Sequence, residues 1–161
     1  MAVEPTYGKK SVMFVCLGNV CRSPTAHCIM RHLIKERGLR GWTIDSSGTN
    51  SNNIGKPADP RARKVIEAHG LDSSHVAKQI TGRYFFEFNY ILGMDLSNIE
   101  NLNQLAPPES PAVIGLLGDF DPDGEKIIRD PYYDLDSTGY EQIYRQCYRC
   151  CSAFLDSIEN K

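Results

Sequence analysis

The chain has 161 residues, 41% of them hydrophobic, and a formal net charge of −2. That length fits one domain able to bury a core without staples. The charge balance gives no reason to expect nucleic acid or an anionic membrane as a partner, and no apolar stretch is long enough to span a bilayer.

Met1 to Lys10 lack the apolar segment of a signal peptide. Residues 1–9 are therefore expected to form a flexible N-terminal tail, and residues 10–161 one domain. Without a secretory signal, the six cysteines are expected to be reduced thiols of a cytoplasmic enzyme.

Lys10 to Cys16 reads as a buried strand. Ala26, Ile29, Met30 and Leu33 recur at helical spacing, and Gly38 ends that helix. Trp42 to Asp45 reads as a second strand, and Ser46 to Lys56, rich in Ser, Asn and Gly, as a loop. Asp59-Pro60 opens a helix that runs to about His69-Gly70, and Thr81 caps a short helix through Phe85. Tyr90-Ile91-Leu92 reads as a third strand, Leu96 to Leu105 as a helix and Ala112 to Leu117 as a fourth strand. A long polar loop over Gly118 to Ser137 leads to a last helix, with Tyr140, Ile143, Tyr144, Cys147, Cys151, Phe154, Leu155 and Ile158 on one face. Strands alternating with helices predict an α/β fold of one domain and three layers, a four-stranded parallel sheet flanked by helices. Ligands of such sheets sit beyond the carboxyl ends of the strands, where Cys16 lies.

The segment Cys16-Leu17-Gly18-Asn19-Val20-Cys21-Arg22-Ser23 follows the first strand and precedes Pro24. Ser23 reads as an N-cap and Pro24 as the first helical residue. A helix N-terminus presents unpaired N–H groups and a partial positive charge, which suits an anion. Gly18 and Asn19 tolerate left-handed backbone, so successive N–H groups can point inward as a nest. A thiol held there is favoured as the thiolate. Arg22 adds a planar fork of donors matched to phosphate oxygens. Together these suggest attack by sulfur on a phosphoryl group. A Walker-type phosphate loop is excluded, because no Gly-Lys-Ser/Thr follows.

Such a reaction needs an acid for the leaving oxygen. The 118–137 loop holds Asp119, Asp121, Asp123, Asp130, Asp134 and Asp136, and most acids in such loops are solvated turn residues. Asp130 stands apart because Pro131 stiffens its position and Tyr132 and Tyr133 can wall a ring-bearing substrate. The acidic spacing at 119–123 lacks the glutamate that ends a calcium loop. Cys147, Cys150 and Cys151 invite a zinc reading with Cys16, Cys21, His27 or Cys28. The paired Cys-x2-Cys spacing occurs only once, and Cys147 and Cys151 fit the apolar helix face. No metal or other cofactor is expected. His69 and His75 read as hydrogen-bonding residues, since no metal-ligand spacing accompanies them.

Cys16 to Pro24 resembles the signature loop of the low-molecular-weight protein tyrosine phosphatases, and Asp130-Pro131-Tyr132-Tyr133 resembles that family's general-acid loop. Asp59-Pro60-Arg61, His69-Gly70, His75, Tyr90-Ile91-Leu92 with Met94-Asp95, and Cys147 to Cys151 match as well, so the resemblance spans about residues 10 to 158. It implies a hydrolase of protein phosphotyrosine and small aryl phosphates, acting through a phosphocysteine and inhibited by phosphate or vanadate. It implies Cys16 as nucleophile, Arg22 as phosphate clamp, and Asp130 as the acid that then activates water. Leu17, Gly18, Asn19, Val20 and Cys21 complete the phosphate loop in this reading. Ser23 donates to the Cys16 sulfur, and Asn19 holds the loop with help from Ser46 and His75. Cys21 is implied as a backup thiol able to bridge Cys16 under peroxide. Tyr132 and Tyr133 line the entrance. Two departures stand out: many relatives have an aromatic residue where this chain has Asn52, which bears on peptide preference, and a cysteine where it has Gly93, which bears on packing. An arsenate reductase has a similar first loop but needs relay cysteines, and none occurs between Cys28 and Cys147. A non-catalytic phosphotyrosine-binding module would not need an intact Cys16, Arg22 and Asp130.

Overall fold

A computed structural model of the chain describes residues 10–160. The tail expected over residues 1–9 lies outside the described residues. Strands β1 (Ser11–Cys16), β2 (Thr43–Gly48), β3 (Tyr90–Gly93) and β4 (Val113–Leu116) form one sheet, all parallel, in the order β2-β1-β3-β4. All six residues of β1 are buried, as expected of an inner strand covered on both faces. Its side chains alternate: Val12, Phe14 and Cys16 join one core, Met13 and Val15 the other. Helices α1 (Arg22–Glu36), α2 (Pro60–Ala68) and α5 (Thr138–Glu159) close the first face. The short α3 (Tyr84–Glu87) and α4 (Leu96–Leu105) close the second. The result is a single three-layer α/β domain with the cysteine loop directly after β1.

Four local expectations differ from the structure. The short helix expected to be capped by Thr81 and to run through Phe85 spans Tyr84–Glu87 instead, with Arg83 at its N-cap and no side-chain cap. The second strand continues through Ser46, Ser47 and Gly48, in register with Phe14, Val15 and Cys16. Those polar residues read as loop because β2 is an edge strand whose last side chains meet polar partners: Ser47 Oγ lies 3.3 Å from Met13 Sδ, and Ser46 joins a side-chain network. The first helix begins at Arg22 with Cys21 as its N-cap, so Ser23 is not the cap. Its hydroxyl faces the Cys16 sulfur instead. Asp121 is not a solvated turn residue. Its carboxylate is fully buried and receives Nε and Nη2 of Arg149, each at 3.0 Å. That fork holds it below the usual carboxylate range.

Candidate active site

Six consecutive carbonyls, from Cys16 to Cys21, all accept hydrogen bonds from outside the loop. Cys16 O accepts from Thr49 N and Leu17 O from Asn50 N, both at 3.0 Å. Gly18 O accepts from Asn53 Nδ2 at 3.3 Å, Asn19 O from His75 Nε2 at 2.9 Å and Val20 O from Asp59 N at 2.8 Å. Cys21 O accepts from Thr25 Oγ1 at 2.7 Å. With the oxygens tied outward, the intervening N–H groups are left for the pocket, the arrangement an oxyanion needs. Gly48 makes this packing possible. A Cβ there would stand 2.8 Å from Leu17 O and 3.1 Å from Asn19 N.

Asn19 is the strained point of the loop, with φ of 57°. Its side chain compensates. Oδ1 accepts from Lys78 N at 3.0 Å, and Nδ2 donates to Ser23 Oγ at 2.8 Å and to Ser46 Oγ at 3.1 Å. Ser23 Oγ is then 2.9 Å from Cys16 Sγ, and Asn19 N donates to the same sulfur at 3.2 Å. Two donors therefore converge on Cys16, which is 3% exposed.

Arg22 reaches the pocket from the first turn of α1. Nη1 donates to Asp95 Oδ2 at 2.6 Å and to Ile128 O at 2.9 Å. Nη2 lies 3.7 Å from Asp130 Oδ2. Burial works against its charge, but Cys16, Asp95 and Asp130 more than offset that, and its pKa lies above the ordinary arginine value. Anchoring through Nη1 leaves the Nε–Nη2 edge for a bound oxyanion. Asp95 serves two structures at once. Oδ1 caps α4 by accepting from Asn98 N at 2.8 Å while Oδ2 grips the arginine.

The acid-bearing segment has a different construction. Asp130 has a side chain 37% exposed, and Oδ1 accepts from Tyr132 N at 3.0 Å. Its neighbours are tied down. Arg129 forks Asp134 at 2.9 and 2.8 Å, and Arg61 donates to Tyr132 O at 2.9 Å and Asp134 O at 3.2 Å. Asp59 grips Arg61 in turn, with contacts of 3.1 and 3.0 Å. Because Asp59 N also bonds Val20 O, the Asp59–Arg61 pair connects the cysteine loop to the acid loop.

These pieces enclose a cleft of about 200 Å³. Cys16, Leu17, Gly18, Val20, Cys21 and Arg22 form its base, and Asp130, Tyr132, Tyr133 and Asn52 its sides. Asn50 and Asn53 also line it, and the sequence did not single them out. Asn19, Ser23, Ser46 and His75 lie behind the loop rather than in the cleft. Burial pushes the Cys21 thiol up to about 12, and its sulfur sits 3.5 Å from Tyr140 Oη. Sequence reasoning assigned no role to Asp95, Lys78 or Arg61, and named His27 only in the zinc reading. The Asp-x-x-Asn pattern at Asp95 to Asn98, at a strand end before a helix, was a usable signal. No group of three or more His, Cys, Asp or Glu among the described residues is arranged to hold a metal.

The family model for low molecular weight phosphotyrosine protein phosphatases matches residues 11–161. A curated relative of that name from Homo sapiens is 47% identical over 150 residues, covering 91% of this chain and 94% of the relative. The chain belongs to the low molecular weight phosphotyrosine protein phosphatases. It is a hydrolase of the protein tyrosine phosphatase class. A solved tyrosine phosphatase from Entamoeba histolytica superposes with a TM-score of 0.89 at 30% identity, covering 94% of this chain and 98% of that one. A structure described as the Drosophila arginine phosphatase gives 0.87 at 36% identity, covering 91% and 96%. Against this family background, Gly93 is a packing position: a Cβ would come within 3.0 Å of Asn98 Cβ and 3.1 Å of Ile99 Cδ1. Asn52 is exposed at the rim of the cleft.

Proposed function

We propose that the enzyme hydrolyses protein phosphotyrosine and small aryl phosphates through a phosphocysteine. The single observation that carries this reading is the common cleft lined by Cys16, Arg22 and Asp130, at a loop whose carbonyls are all bonded to partners outside it. The Cys16 thiolate attacks phosphorus while Asp130 gives its proton to the departing phenol oxygen, so an S–P bond forms as the P–O bond breaks. Arg22 and the loop amides hold the equatorial oxygens as charge builds on them. Asp130, now a carboxylate, takes a proton from water, and the oxygen of that water displaces the sulfur. Inorganic phosphate leaves and the thiolate returns, so phosphate and vanadate are expected inhibitors. Ser23 and Asn19 N support the sulfur as both nucleophile and leaving group.

Tyr132 and Tyr133 offer aromatic surface for a phenyl ester. Among the described residues Asp130 is the only carboxylate lining the cleft, so a guanidinium leaving group meets no second anion from them there. That favours aryl phosphate over phosphoarginine, the substrate class that one relative's description implies. The buried positions of Cys147 and Cys151 in the core favour hydrolysis over a cysteine relay of the arsenate reductase kind. The reading takes residues 10–161 as one phosphatase domain. The enzyme is assigned to the cytoplasm, with phosphotyrosine proteins as partners, no nucleic acid and no membrane insertion; no described helix is long and apolar enough to cross a membrane.

The test compares phosphotyrosine peptide, phenyl phosphate and phosphoarginine as substrates of the wild type and Cys16→Ser. Turnover of the two aryl esters, abolished in Cys16→Ser with the melting curve unchanged, is the expected result. Substantial turnover by Cys16→Ser, or phosphoarginine as the only substrate, overturns the reading.

A further inference from the structure

His27 sits one helical turn beyond Ser23 on α1, so the two side chains share a face. Its Nδ1 is 3.0 Å from Ser46 Oγ. Its ring meets the ring of His75 edge-on, with centroids 6.1 Å apart and planes at 83°. Nothing in the phosphatase reading above uses this residue.

The proton order of the buried network assigns it a part. Asn19 Oδ1 accepts from a backbone N–H, so Nδ2 must supply both of its protons, one to Ser23 Oγ and one to Ser46 Oγ. Each hydroxyl is then an acceptor from Asn19 with its own proton free to give. Among the described residues Ser23 has one partner for that proton, the Cys16 sulfur. Ser46 likewise has one, His27 Nδ1. Ser46 has no exposed surface, so water cannot replace that acceptor. The imidazole must therefore be neutral, with its lone pair on Nδ1 and its proton on Nε2.

We propose that His27 is a positioning residue for phosphoryl transfer: as a neutral acceptor it ends the chain Cys16–Ser23–Asn19–Ser46–His27 and holds the hydroxyl donor of Ser23 on the catalytic sulfur. This rests on the reading of Cys16 as nucleophile. The groups facing His27 favour the neutral form. Burial leads, and Arg31 from its own helix, His75 and Lys78 all act against a proton, with Asp45 on β2 the one opposing group. Asp45 is itself paired with Lys78. Burial and the nearby Lys78 and Arg31 also lower His75, outweighing Asn19 O and Asp45. Loss of the Nδ1 acceptor frees Ser46 to turn its proton toward Asn19 or Ser23, and the order is lost along the chain.

The test uses His27→Leu, which has no acceptor, and His27→Asn, whose Oδ1 can stand near the Nδ1 position. The readout independent of turnover is the pH dependence of Cys16 alkylation by iodoacetate. His27→Leu should move that profile to higher pH and slow alkylation at pH 6 about three- to tenfold, the equivalent of one hydrogen bond. It should lower kcat for p-nitrophenyl phosphate by a similar factor, with His27→Asn recovering most of both. Equal profiles for wild type and His27→Leu, or equal losses in both variants, overturn the proposal. In the wild type, nitrogen NMR at pH 7 should find His27 with a bare Nδ1 and a protonated Nε2. The opposite tautomer or a cation overturns it even if His27→Leu fails to fold. A wild type that hydrolyses no aryl phosphate would sink the functional reading instead, leaving the alkylation and tautomer results to stand separately.

Discussion

The cysteine loop and the acid loop face each other across the cleft and are built in opposite ways. From Cys16 to Cys21 every carbonyl is satisfied by a named donor, and Asn19, Arg22 and Ser23 are almost without exposed surface. From Arg129 to Asp134 the Asp130 carboxylate is exposed, and what order there is comes from two arginines gripping main-chain and carboxylate oxygens. The contrast matches the two tasks proposed for these loops. Stabilising a transient oxyanion requires donors that do not reorganise. Delivering a proton to one of many leaving groups tolerates an arm at the rim.

Damage to the rigid side should be large and indifferent to the leaving group. Arg22→Lys keeps the charge but has a single head to share among Asp95, Ile128 O and the phosphate. A kcat loss of roughly 10²–10³-fold or more is expected for every aryl ester, with weaker phosphate inhibition. Steady-state kinetics over a series of phenols will check this, and near-normal values would mean that Arg22 only packs the loop.

Damage to the exposed side should be graded. Asp130→Asn should cost about 10²–10³-fold on phenyl phosphate, whose leaving oxygen needs the proton, and far less on p-nitrophenyl phosphate. Asp136→Asn is the proper control, being exposed in the same segment. Asp121→Asn is not, because removing the buried partner of Arg149 is expected to destabilise the fold. A loss with Asp130→Asn that is equal for all leaving groups would remove Asp130 as the acid.

The smallest effect concerns stability rather than rate. Burial first, then neighbouring cations, lowers His27 to about 4 in the fold, and His75 is lowered too. In the unfolded chain both take protons below about pH 6.5. Between about pH 6.5 and 4.5 the unfolded state thus binds more protons, so folding stability should fall as pH falls through that window and stay flat above it. The lowered carboxylates, such as Asp59, contribute their own loss only below it. A drop of ~2 kcal/mol from His27 is expected, read from urea midpoints, and His27→Asn should flatten the curve. An equally steep curve in that variant would show that other groups carry it.

Much of the rigid loop was legible because its chemistry is local. The spacing of Cys16 and Arg22, Gly18 and Asn19 between them, and the apolar run before them all lie within one short segment. Asp130 was legible through Pro131 and the tyrosines. What escaped depends on partners distant in the chain. Asp95 meets Arg22 only when β3 is laid beside β1, and Arg149 meets Asp121 only when α5 packs back on the loop. Ser23 reads as a helix cap because Ser-Pro is a common cap signature, and it departs from that role where its hydroxyl serves the sulfur. Ser46-Ser47-Gly48 reads as loop because β-propensity says nothing of a strand end shaped to let a phosphate loop approach.

The most direct measurement is capture of the covalent intermediate. Asp130→Asn should still transfer phosphorus from p-nitrophenyl phosphate but lack the base that activates water, so the S–P species should accumulate. Rapid quenching in alkaline denaturant followed by peptide mass spectrometry is expected to find a stoichiometric phosphoryl group on the peptide containing Cys16. A burst of nitrophenol with no phosphorylated peptide, or with the phosphoryl group on another residue, would contradict Cys16 as the nucleophile.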